Sequence, residues 1–291
     1  MSVFCFFRRS KYPRRVYVGN NHFCGMKWCN KDICGIFCAM FTWFLMGYAQ
    51  FCVCFVMMAS WPARPLWQGV NFAIFQSFFV LSFLSHFRTM TTDPGAVPKG
   101  NLTEDYLQRL ERERAVGAPI YKCQRCASVK PERAHHCSVC DRCIKRMDHH
   151  CPWVNNCVGE ANQKTFVLFT MYIALMSLHV LMWTVFQFIQ CVDDEFRQCS
   201  TFGPPATTII LIFLLFEAIL FSIFTAVMLG TQLSAICADQ TGIESLRKES
   251  HSNGGGWRKN MQVVFGGPLS LRWFNPLAAP FITEKAFEFS V

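Results

Sequence analysis

The sequence predicts an all-α polytopic membrane protein with four transmembrane helices and a small cysteine-rich domain between the second and the third helix. Three observations predict this fold class. The composition is 52% hydrophobic and 15% aromatic and includes 30 Phe. Four apolar stretches reach the roughly 20 residues that a helix needs to cross a bilayer. Between the second and third stretches, residues 123–157 contain seven Cys and four His.

The four apolar stretches cover about residues 33–58, 66–87, 165–191 and 207–233. They divide the chain into an N-terminal segment (1–32), helices 1 and 2 (33–87), a loop (88–164) that contains the cysteine-rich domain (123–157), helices 3 and 4 (165–233) and a C-terminal tail (234–291). The first stretch starts late and is too long for the core of a signal peptide, so we expect the first helix to be retained.

The distribution of positive charge predicts the orientation in the membrane. Of the 28 Lys and Arg, 26 lie in residues 1–32, 88–164 and 234–291, and the other two, Arg64 and Arg197, lie in the two short loops. Cytosolic segments retain Lys and Arg, so both termini and the cysteine-rich domain are expected in the cytosol. The anionic cytosolic leaflet explains the net charge of +9 better than nucleic acid does, because no groove-reading element accompanies the charge.

The loop after the second helix begins with local structure signals. Asp93-Pro94-Gly95 is a turn sequence, which is expected to stop the helix at the membrane interface. Asn101 with Glu104 three residues later has the spacing of a capping box, and it predicts a solvated helix over the charged run that follows. Asn101 also begins a glycosylation sequon, which a cytosolic location leaves unused.

Cysteines outside the cysteine-rich domain suggest two modifications. Cys5, Cys24 and Cys29 lie near the membrane and are either S-acylated or unmodified thiols. Cys191 and Cys199 bracket the short loop between helices 3 and 4 and could form a disulfide if that side is a secretory lumen. Spacing does not decide either question.

The cysteine-rich domain predicts bound zinc. Disulfides are rare in the cytosol, and Cys-x-x-Cys pairs with nearby His supply the thiolates and imidazoles that tetrahedral Zn²⁺ binds. Redox or iron–sulfur use is less favoured, because several His stand at ligand spacing. Two four-ligand sites use eight of the eleven side chains, so three remain. Spacing alone does not assign the ligands, because three overlapping pairs are present: Cys123/Cys126, Cys137/Cys140 and Cys140/Cys143.

The block Asp148-His149-His150-Cys151 suggests a reactive thiol among the remaining residues. A thiolate attacks a thioester when a neighbouring imidazole takes its proton and a carboxylate orients that imidazole. All three groups occur within four residues here. From spacing alone, it is equally consistent that His149, His150 and Cys151 are further zinc ligands.

The order C-x2-C-x9-H-C-x2-C-x2-C-x4-D-H-H-C-x5-C resembles the DHHC family of protein S-acyltransferases (palmitoyltransferases). The similarity extends through Asp93-Pro94-Gly95 and through NCVGEANQKTFVLF at the start of the third helix. The whole chain is most similar to the Golgi-associated, GODZ-like members of that family. The resemblance implies a multi-pass membrane acyltransferase with a cytosolic, zinc-bound cysteine-rich domain, located in the Golgi membrane.

The resemblance also implies two structural Zn²⁺ sites, each with three Cys and one His. The first set is Cys123, Cys126, His136 and Cys143, and the second is Cys137, Cys140, His150 and Cys157. His135, His149 and Cys151 are then the three residues without a zinc ion. Cys151 is the implied acyl-accepting nucleophile, His149 its base and Asp148 the residue that orients His149.

The implied acyl donor is palmitoyl-CoA, and the implied acceptors are cysteines of cytosolic or membrane-associated proteins. Met176 in the third helix is expected to limit the length of the acyl chain, and plain helix packing is the alternative. Lys130, Arg133 and His135 either contact the phosphates of CoA or are ordinary solvated basic residues.

Two motifs of the tail match the family in part. Residues 241–244 read Thr-Gly-Ile-Glu, whereas the family has Thr-Thr-x-Glu, so the contact of the second Thr hydroxyl toward Asp148 is in doubt. Asn260 stands where the family has an Asn that ties the tail back to the helices.

Glu217 is a carboxyl group in the middle of the fourth apolar stretch. Acidic residues inside membranes usually face the bundle and find partners. At 1.5 Å rise per residue, Glu217 lies about 15 Å and His179 about 18 Å from the far ends of their helices, so the two are predicted to pair. The alternative is a protonated Glu217 that bonds Ser or the backbone.

Other functions and partners remain open. The alternative function is a non-catalytic, zinc-stiffened membrane adaptor. A membrane ubiquitin ligase with crossed zinc sites would not explain the Asp-His-His-Cys block. Residues 289–291 have the apolar spacing of a strand that adds to a PDZ groove, and a homo-oligomer is compatible with the sequence.

Overall fold

The structure is a computed structural model that describes residues 22–23, 27–58, 65–113, 119–197, 199–200, 202–248 and 256–278. The predicted modification sites at Cys5 and Cys24 and the predicted PDZ-binding residues 289–291 lie outside this part of the chain. The described residues form seven α-helices: α1 Ile33–Phe51, α2 Pro65–Thr91, α3 Glu104–Glu113, α4 Gln163–Asp193, α5 Pro204–Cys237, α6 Gly242–Arg247 and α7 Gly256–Phe265. A π-helical turn, Cys52–Met57, extends α1.

Four of these helices are long and apolar enough to cross a membrane, which confirms the predicted fold class. The spans are Ile33–Met57, Pro65–Thr91, Gln163–Asp193 and Pro204–Cys237. In α4, 61% of the apolar section is buried, against 28% or less in the other three spans. The central helix is therefore α4, which packs against both α2 and α5.

The second span runs past its predicted end at residue 87 and stops at Thr91. The hydroxyls of Ser85, Thr89 and Thr91 each donate to the carbonyl oxygen four residues earlier. These polar side chains are satisfied within the helix, so the helix continues through them.

The loop after α2 is hydrogen-bonded to the cysteine-rich domain. Asp93 Oδ1 accepts the N–H groups of Gly95 and Ala96 at 2.9 and 2.8 Å, which forms the predicted turn. Gly95 has a φ of +108°, a conformation that favours glycine. Its carbonyl accepts the N–H of Lys145 at 2.9 Å, and this bond fixes the domain against the end of α2.

Short antiparallel hairpins accompany the helices, a feature that the all-α prediction did not include. Eight strands are found in the described residues. They pair as β1 His22–Phe23 with β2 Lys27–Trp28, β3 Lys122–Cys123 with β4 Ser128–Val129, β5 Ala134–Cys137 with β6 Arg142–Lys145, and β7 His149–Cys151 with β8 Asn156–Val158. Strands of two to four residues are too short for alternation of apolar and polar residues to reveal them. The described part of the chain is nevertheless mostly helical.

The predicted surface helix is present as α3, but its predicted cap is wrong. The N–H of Tyr106 donates to Thr103 Oγ1 at 3.3 Å, so Thr103 caps the helix. Asn101 Oδ1 instead accepts the N–H of Val129 at 2.8 Å. Asn101 and Glu104 therefore form no capping box, because the Asn101 side chain joins the loop to β4.

The predicted pair of Glu217 and His179 is also wrong. The Nε2 of His179 bonds the carbonyl oxygen of Asn71 in α2 at 3.2 Å. Within the described residues, Glu217 Oε2 is buried and has no hydrogen-bond partner. The two side chains face different neighbours, since His179 points at α2 and Glu217 at a cavity beside α1.

Cys191 and Cys199 lie in one buried cluster with Val56 and Leu211, and no disulfide joins them in the structure. The side-chain amide of Gln187 donates to the carbonyl oxygen of Cys199 at 3.0 Å. The loop is thus held against α4 without a disulfide.

Candidate active site

Eight Cys and His side chains form two groups, each able to hold a metal ion. The groups are Cys123, Cys126, His136 and Cys143, and Cys137, Cys140, His150 and Cys157. In each group the ligand atoms lie within 4.8 Å of one another. The Sγ atoms of Cys126 and Cys143 are 3.8 Å apart, and Cys157 Sγ lies 3.6 Å from His150 Nδ1. Tetrahedral Zn²⁺ with bonds of about 2.3 Å to sulfur and 2.0 Å to nitrogen separates its ligand atoms by roughly 3.5–3.8 Å, so the residues fit zinc.

Two hairpins deliver the ligands. The pairing of β5 with β6 places His136 opposite Cys143, and the pairing of β7 with β8 places His150 opposite Cys157. Cys137 directly follows His136 on β5 but belongs to the other group. The groups therefore interleave along the chain, which is why spacing alone left their assignment open.

Asp148, His149 and Cys151 lie outside both groups and are close to one another. His149 Nδ1 donates to Asp148 Oδ2 at 2.7 Å. That bond leaves Nε2 as the ring nitrogen that can exchange a proton with a thiol. Cys151 is 7% exposed and ends the same strand, β7, that His149 begins. The arrangement has the order carboxylate, imidazole, thiol that nucleophilic catalysis by cysteine requires.

The carboxylate of Asp148 is held from three directions. Besides His149, the backbone N–H of Gly242 donates to Oδ1 at 2.6 Å, and the Gln232 amide donates to Oδ2 at 2.8 Å. Burial alone would raise the pKa of Asp148, but the hydrogen bonds from His149, Gly242 and Gln232 outweigh burial and lower that pKa. Asp148 therefore stays ionised and keeps His149 oriented.

Gly242 contacts Asp148 without a hydroxyl. Its N–H makes the 2.6 Å bond, and a Cβ at this position would come within 3.1 Å of the backbone carbonyl oxygen of Asp148. The backbone of Gly242 therefore supplies a donor to Asp148 at the position where the resemblance implies a threonine.

The environment makes His149 a stronger base than a free histidine. Burial lowers its pKa, but the hydrogen bond to Asp148 and the interaction with the Cys151 sulfur raise the pKa of His149 to about 9. The ring also packs edge-on against Phe166 at the start of α4, with centroids 5.2 Å apart. Phe166 thereby positions the imidazole from the membrane side.

An apolar cavity extends from Cys151 into the helix bundle. It lies between α1, α4 and α5. Its walls include Met46, Met176 and Glu217 as well as Cys151. A thiol at the end of a long apolar cavity is suited to a substrate with a hydrocarbon chain.

Arg133 does not have the environment of a solvated basic residue. Its guanidinium donates to both carboxylate oxygens of Glu244, at 2.6 and 2.7 Å, and to Asp239 Oδ1 at 3.0 Å. Lys130 donates to the carbonyl oxygen of Ala134, and His135 lies on β5 opposite Ile144. Arg133 thus joins the cysteine-rich domain to α6.

Sequence reasoning missed Asn156 and Gln232. The side-chain amide of Asn156 donates to the carbonyl oxygens of Thr89 and Thr92, at 2.9 Å each. These bonds hold the C-terminal end of α2 against the candidate active site. An amide in the apolar sequence of α5 was the only signal for Gln232, and Asn156 gave no signal apart from its place in the motif.

Asn260 has the role that the resemblance implies. Its side-chain amide donates to the carbonyl oxygen of Cys237, the last residue of α5, at 2.9 Å. This bond ties α7 to the end of the fourth membrane helix.

Comparison with known proteins identifies similar sequences. A family profile described as DHHC palmitoyltransferase matches residues 118–249. The chain is 56% identical to Palmitoyltransferase ZDHHC3-A of Danio rerio over 255 residues, which cover 86% of this chain and 78% of the relative. It is 53% identical to Palmitoyltransferase ZDHHC3 of Homo sapiens over 262 residues, 88% of this chain and 85% of the relative. Palmitoyltransferase ZDHHC7 of Mus musculus is 53% identical over 255 residues, 86% of this chain and 80% of the relative.

Proposed function

This chain belongs to the DHHC palmitoyltransferase family, and we propose that it moves a palmitoyl or other long-chain acyl group from acyl-CoA to protein cysteines through a thioester on Cys151. One observation carries the proposal. Cys151 lies outside both metal-capable groups, follows the bonded pair of Asp148 and His149, and faces an apolar cavity among the membrane helices.

The first step is transfer of the acyl group to the enzyme. Cys151 Sγ passes its proton to His149 Nε2, so the pair reacts as thiolate and imidazolium, and the thiolate attacks the carbonyl carbon of the acyl-CoA thioester. The carbon–sulfur bond to CoA breaks, and the CoA thiolate takes the proton back from His149. Asp148 holds the tautomer and stabilises the imidazolium that forms. The cavity holds the hydrocarbon chain while the thioester lies at Cys151.

The second step repeats the exchange with a protein thiol. The substrate cysteine gives its proton to His149 and attacks the thioester carbon on Cys151. Cys151 leaves with the proton, and the acyl group is now on the substrate. One thioester replaces another in each step, so both steps are close to thermoneutral. The acyl donor and the protein acceptor bind in turn.

Zinc has a structural part in this proposal. Cys123, Cys126, His136 and Cys143 would hold one ion, and Cys137, Cys140, His150 and Cys157 the other. Bound zinc would fix the hairpins β5–β6 and β7–β8, because structural zinc sites contribute folding free energy. His149 and Cys151 are then positioned by a rigid frame.

The proposed topology places both termini and the site in the cytosol, as the Lys and Arg distribution supports. Acyl-CoA then reaches the cavity from the cytosolic leaflet. Lys130 and His135 remain proposed contacts for its phosphates, while Arg133 is already bound by two carboxylates. Similarity to the GODZ-like relatives supports a Golgi membrane location. A PDZ partner and a homo-oligomer remain proposals from the sequence alone.

The test is direct acylation of the purified protein. Incubation with palmitoyl-CoA should give an adduct of one palmitoyl group that neutral hydroxylamine removes, and a cysteine peptide added afterwards should acquire the label. Intact-mass spectrometry measures both steps. A non-catalytic adaptor forms no adduct, so an unlabelled, folded protein would contradict the proposal.

Replacing Met176 with Ala is expected to shift the donor preference toward longer chains. Met176 is buried in the wall of the cavity, and its truncation leaves space inside the bundle. The rate with stearoyl-CoA relative to palmitoyl-CoA should rise several-fold in a competition assay. Leu175→Ala is the matched control, because Leu175 is the preceding residue and is exposed on the outer face. An unchanged ratio in Met176→Ala would show that the residue only packs.

The pair of Asp148 and His149 is expected to make stability depend on pH. Because the folded protein raises the pKa of His149 from 6.5 to about 9, the contribution of the pair is fully present below pH 6.5 and is lost as the pH rises through about 9. Over that interval the wild type should lose more thermal stability than His149→Gln. Differential scanning fluorimetry measures the two profiles, and parallel profiles would contradict the raised pKa.

A further inference from the structure

Glu217 is a buried carboxyl group that the proposed chemistry does not use. It lies on α5 and lines the same cavity as Cys151 and Met176. Its Oε2 is buried, and among the described residues it has no hydrogen-bond partner. Unpaired polar atoms are costly in the apolar interior of a membrane protein, so a carboxyl group in this position indicates a ligand or a local function.

The position of Glu217 is deep in the cavity. Gln232 on the same helix donates to Asp148 and so marks the level of the site. Glu217 precedes Gln232 by 15 residues, which places it about 22 Å further into the bundle at 1.5 Å per residue. Acyl groups of long-chain length reach this depth from Cys151, and medium-chain groups do not.

Three threonine hydroxyls of the cavity wall are already satisfied within their own helices. Thr42 donates to the carbonyl oxygen of Cys38, Thr170 to that of Val167 and Thr225 to that of Phe221. On the neighbouring helix α1, Tyr48 donates to the carbonyl oxygen of Ile210. These hydroxyls have no free proton for a ligand, whereas the Glu217 carboxyl group remains available in an apolar environment.

An unsubstituted hydrocarbon chain cannot satisfy this carboxyl group. A plain chain that reaches Glu217 offers the carboxyl group no hydrogen bond, so the buried polar group stays unpaired at a cost in free energy. A chain that ends in a hydroxyl group can exchange a hydrogen bond with the carboxyl group and avoid this cost.

We propose that Glu217 is a specificity-determining residue at the deep end of the acyl cavity, and that it favours long-chain acyl groups with a hydrogen-bonding substituent at the ω end over plain chains of equal length. The proposal rests on the proposed function, since it needs Cys151 to accept acyl groups from acyl-CoA. It differs from the expected role of Met176, which limits length by bulk and does not distinguish a terminal hydroxyl from a terminal methyl group.

The test is competition between 16-hydroxypalmitoyl-CoA and palmitoyl-CoA for acylation of Cys151 in the full-length protein, followed by intact mass. Glu217→Leu should lower the ratio of hydroxylated to plain adduct by at least about fivefold, while Glu217→Gln, which keeps hydrogen-bonding groups, should retain most of the wild-type ratio. Ile219→Leu is the matched control, because Ile219 lies two residues away on the exposed face of α5.

A second comparison needs only the wild type. Palmitoyl-CoA with the hydroxyl group in mid-chain should compete less well than the ω-hydroxylated donor, because its hydroxyl group does not reach Glu217. Equal use of the two hydroxylated donors, or an unchanged ratio in Glu217→Leu, would overturn the inference. If Cys151 accepts no acyl group from any donor, the proposed function fails instead, so the two failures are distinguishable.

Discussion

Replacing Cys151 with Ser is expected to abolish both the acyl-enzyme and the transfer of palmitate to substrate, while the protein stays folded. Cys151 lies outside both metal-capable groups, so the change removes no ligand from either group. A serine hydroxyl is a far weaker nucleophile than a thiol beside an imidazole of raised basicity, where the pKa of His149 is about 9. The expected loss of the hydroxylamine-sensitive adduct is complete within the detection limit of in-gel fluorescence with a clickable palmitoyl-CoA.

Two controls separate loss of chemistry from loss of structure. Metal analysis should find two zinc ions per chain in both wild type and Cys151→Ser. Cys237→Ser changes a partly exposed thiol at the end of α5 and should keep the full label. A Cys151→Ser protein that still carries a hydroxylamine-sensitive palmitoyl group would place the nucleophile at another cysteine and overturn the proposed role.

The sequence predicted the membrane helices well because their signal is local. A run of about 20 predominantly apolar residues is required for each crossing, and such a run is visible in the sequence without any knowledge of tertiary contacts. The boundaries were less accurate where polar side chains bond their own helix, as Thr89 and Thr91 do in α2. A hydropathy profile does not show whether a hydroxyl group donates to the carbonyl oxygen four residues earlier in its own helix.

The site was only partly predictable, because its contacts join distant parts of the chain. The block of residues 148–151 revealed the candidate thiol, imidazole and carboxylate through their proximity in sequence. The donors that hold Asp148 lie 84 and 94 residues away, at Gln232 and Gly242. Such contacts depend on how α5 and α6 pack against the cysteine-rich domain, and no spacing rule encodes that packing.

Local rules also gave wrong answers where tertiary contacts compete with them. Asn101 has the residue type and spacing of a helix cap, but its side chain accepts the N–H of Val129 across the loop. Thr103 caps α3 instead. Glu217 and His179 have matching depths, but helix rotation turns them toward different neighbours. The depth of a residue in the membrane follows from its position along the helix. The direction in which its side chain points depends on the rotation of the helix about its axis, which packing sets.

Removing one partner of the ion pair between Arg133 and Glu244 is expected to destabilise the protein strongly. Glu244 is fully buried, and both of its oxygens accept from Arg133, while the Thr241 N–H also donates to Glu244 at 2.8 Å. Arg133→Met leaves this carboxylate buried without its cation, which costs about 3–5 kcal/mol. Thermal unfolding of the detergent-solubilised protein should show a large drop in the midpoint, together with loss of acylation as α6 releases Asp148.

The double variant Arg133→Met/Glu244→Leu separates this structural role from binding of acyl-CoA. With both charges removed, no uncompensated carboxylate remains at position 244, so the double variant should recover much of the stability that Arg133→Met loses. The pair joins the cysteine-rich domain to α6, whose Gly242 N–H holds Asp148, so acylation should recover in parallel with stability. If Arg133 instead contacts the phosphates of CoA, Arg133→Met keeps the wild-type unfolding midpoint and raises KM for palmitoyl-CoA, and the second substitution restores nothing.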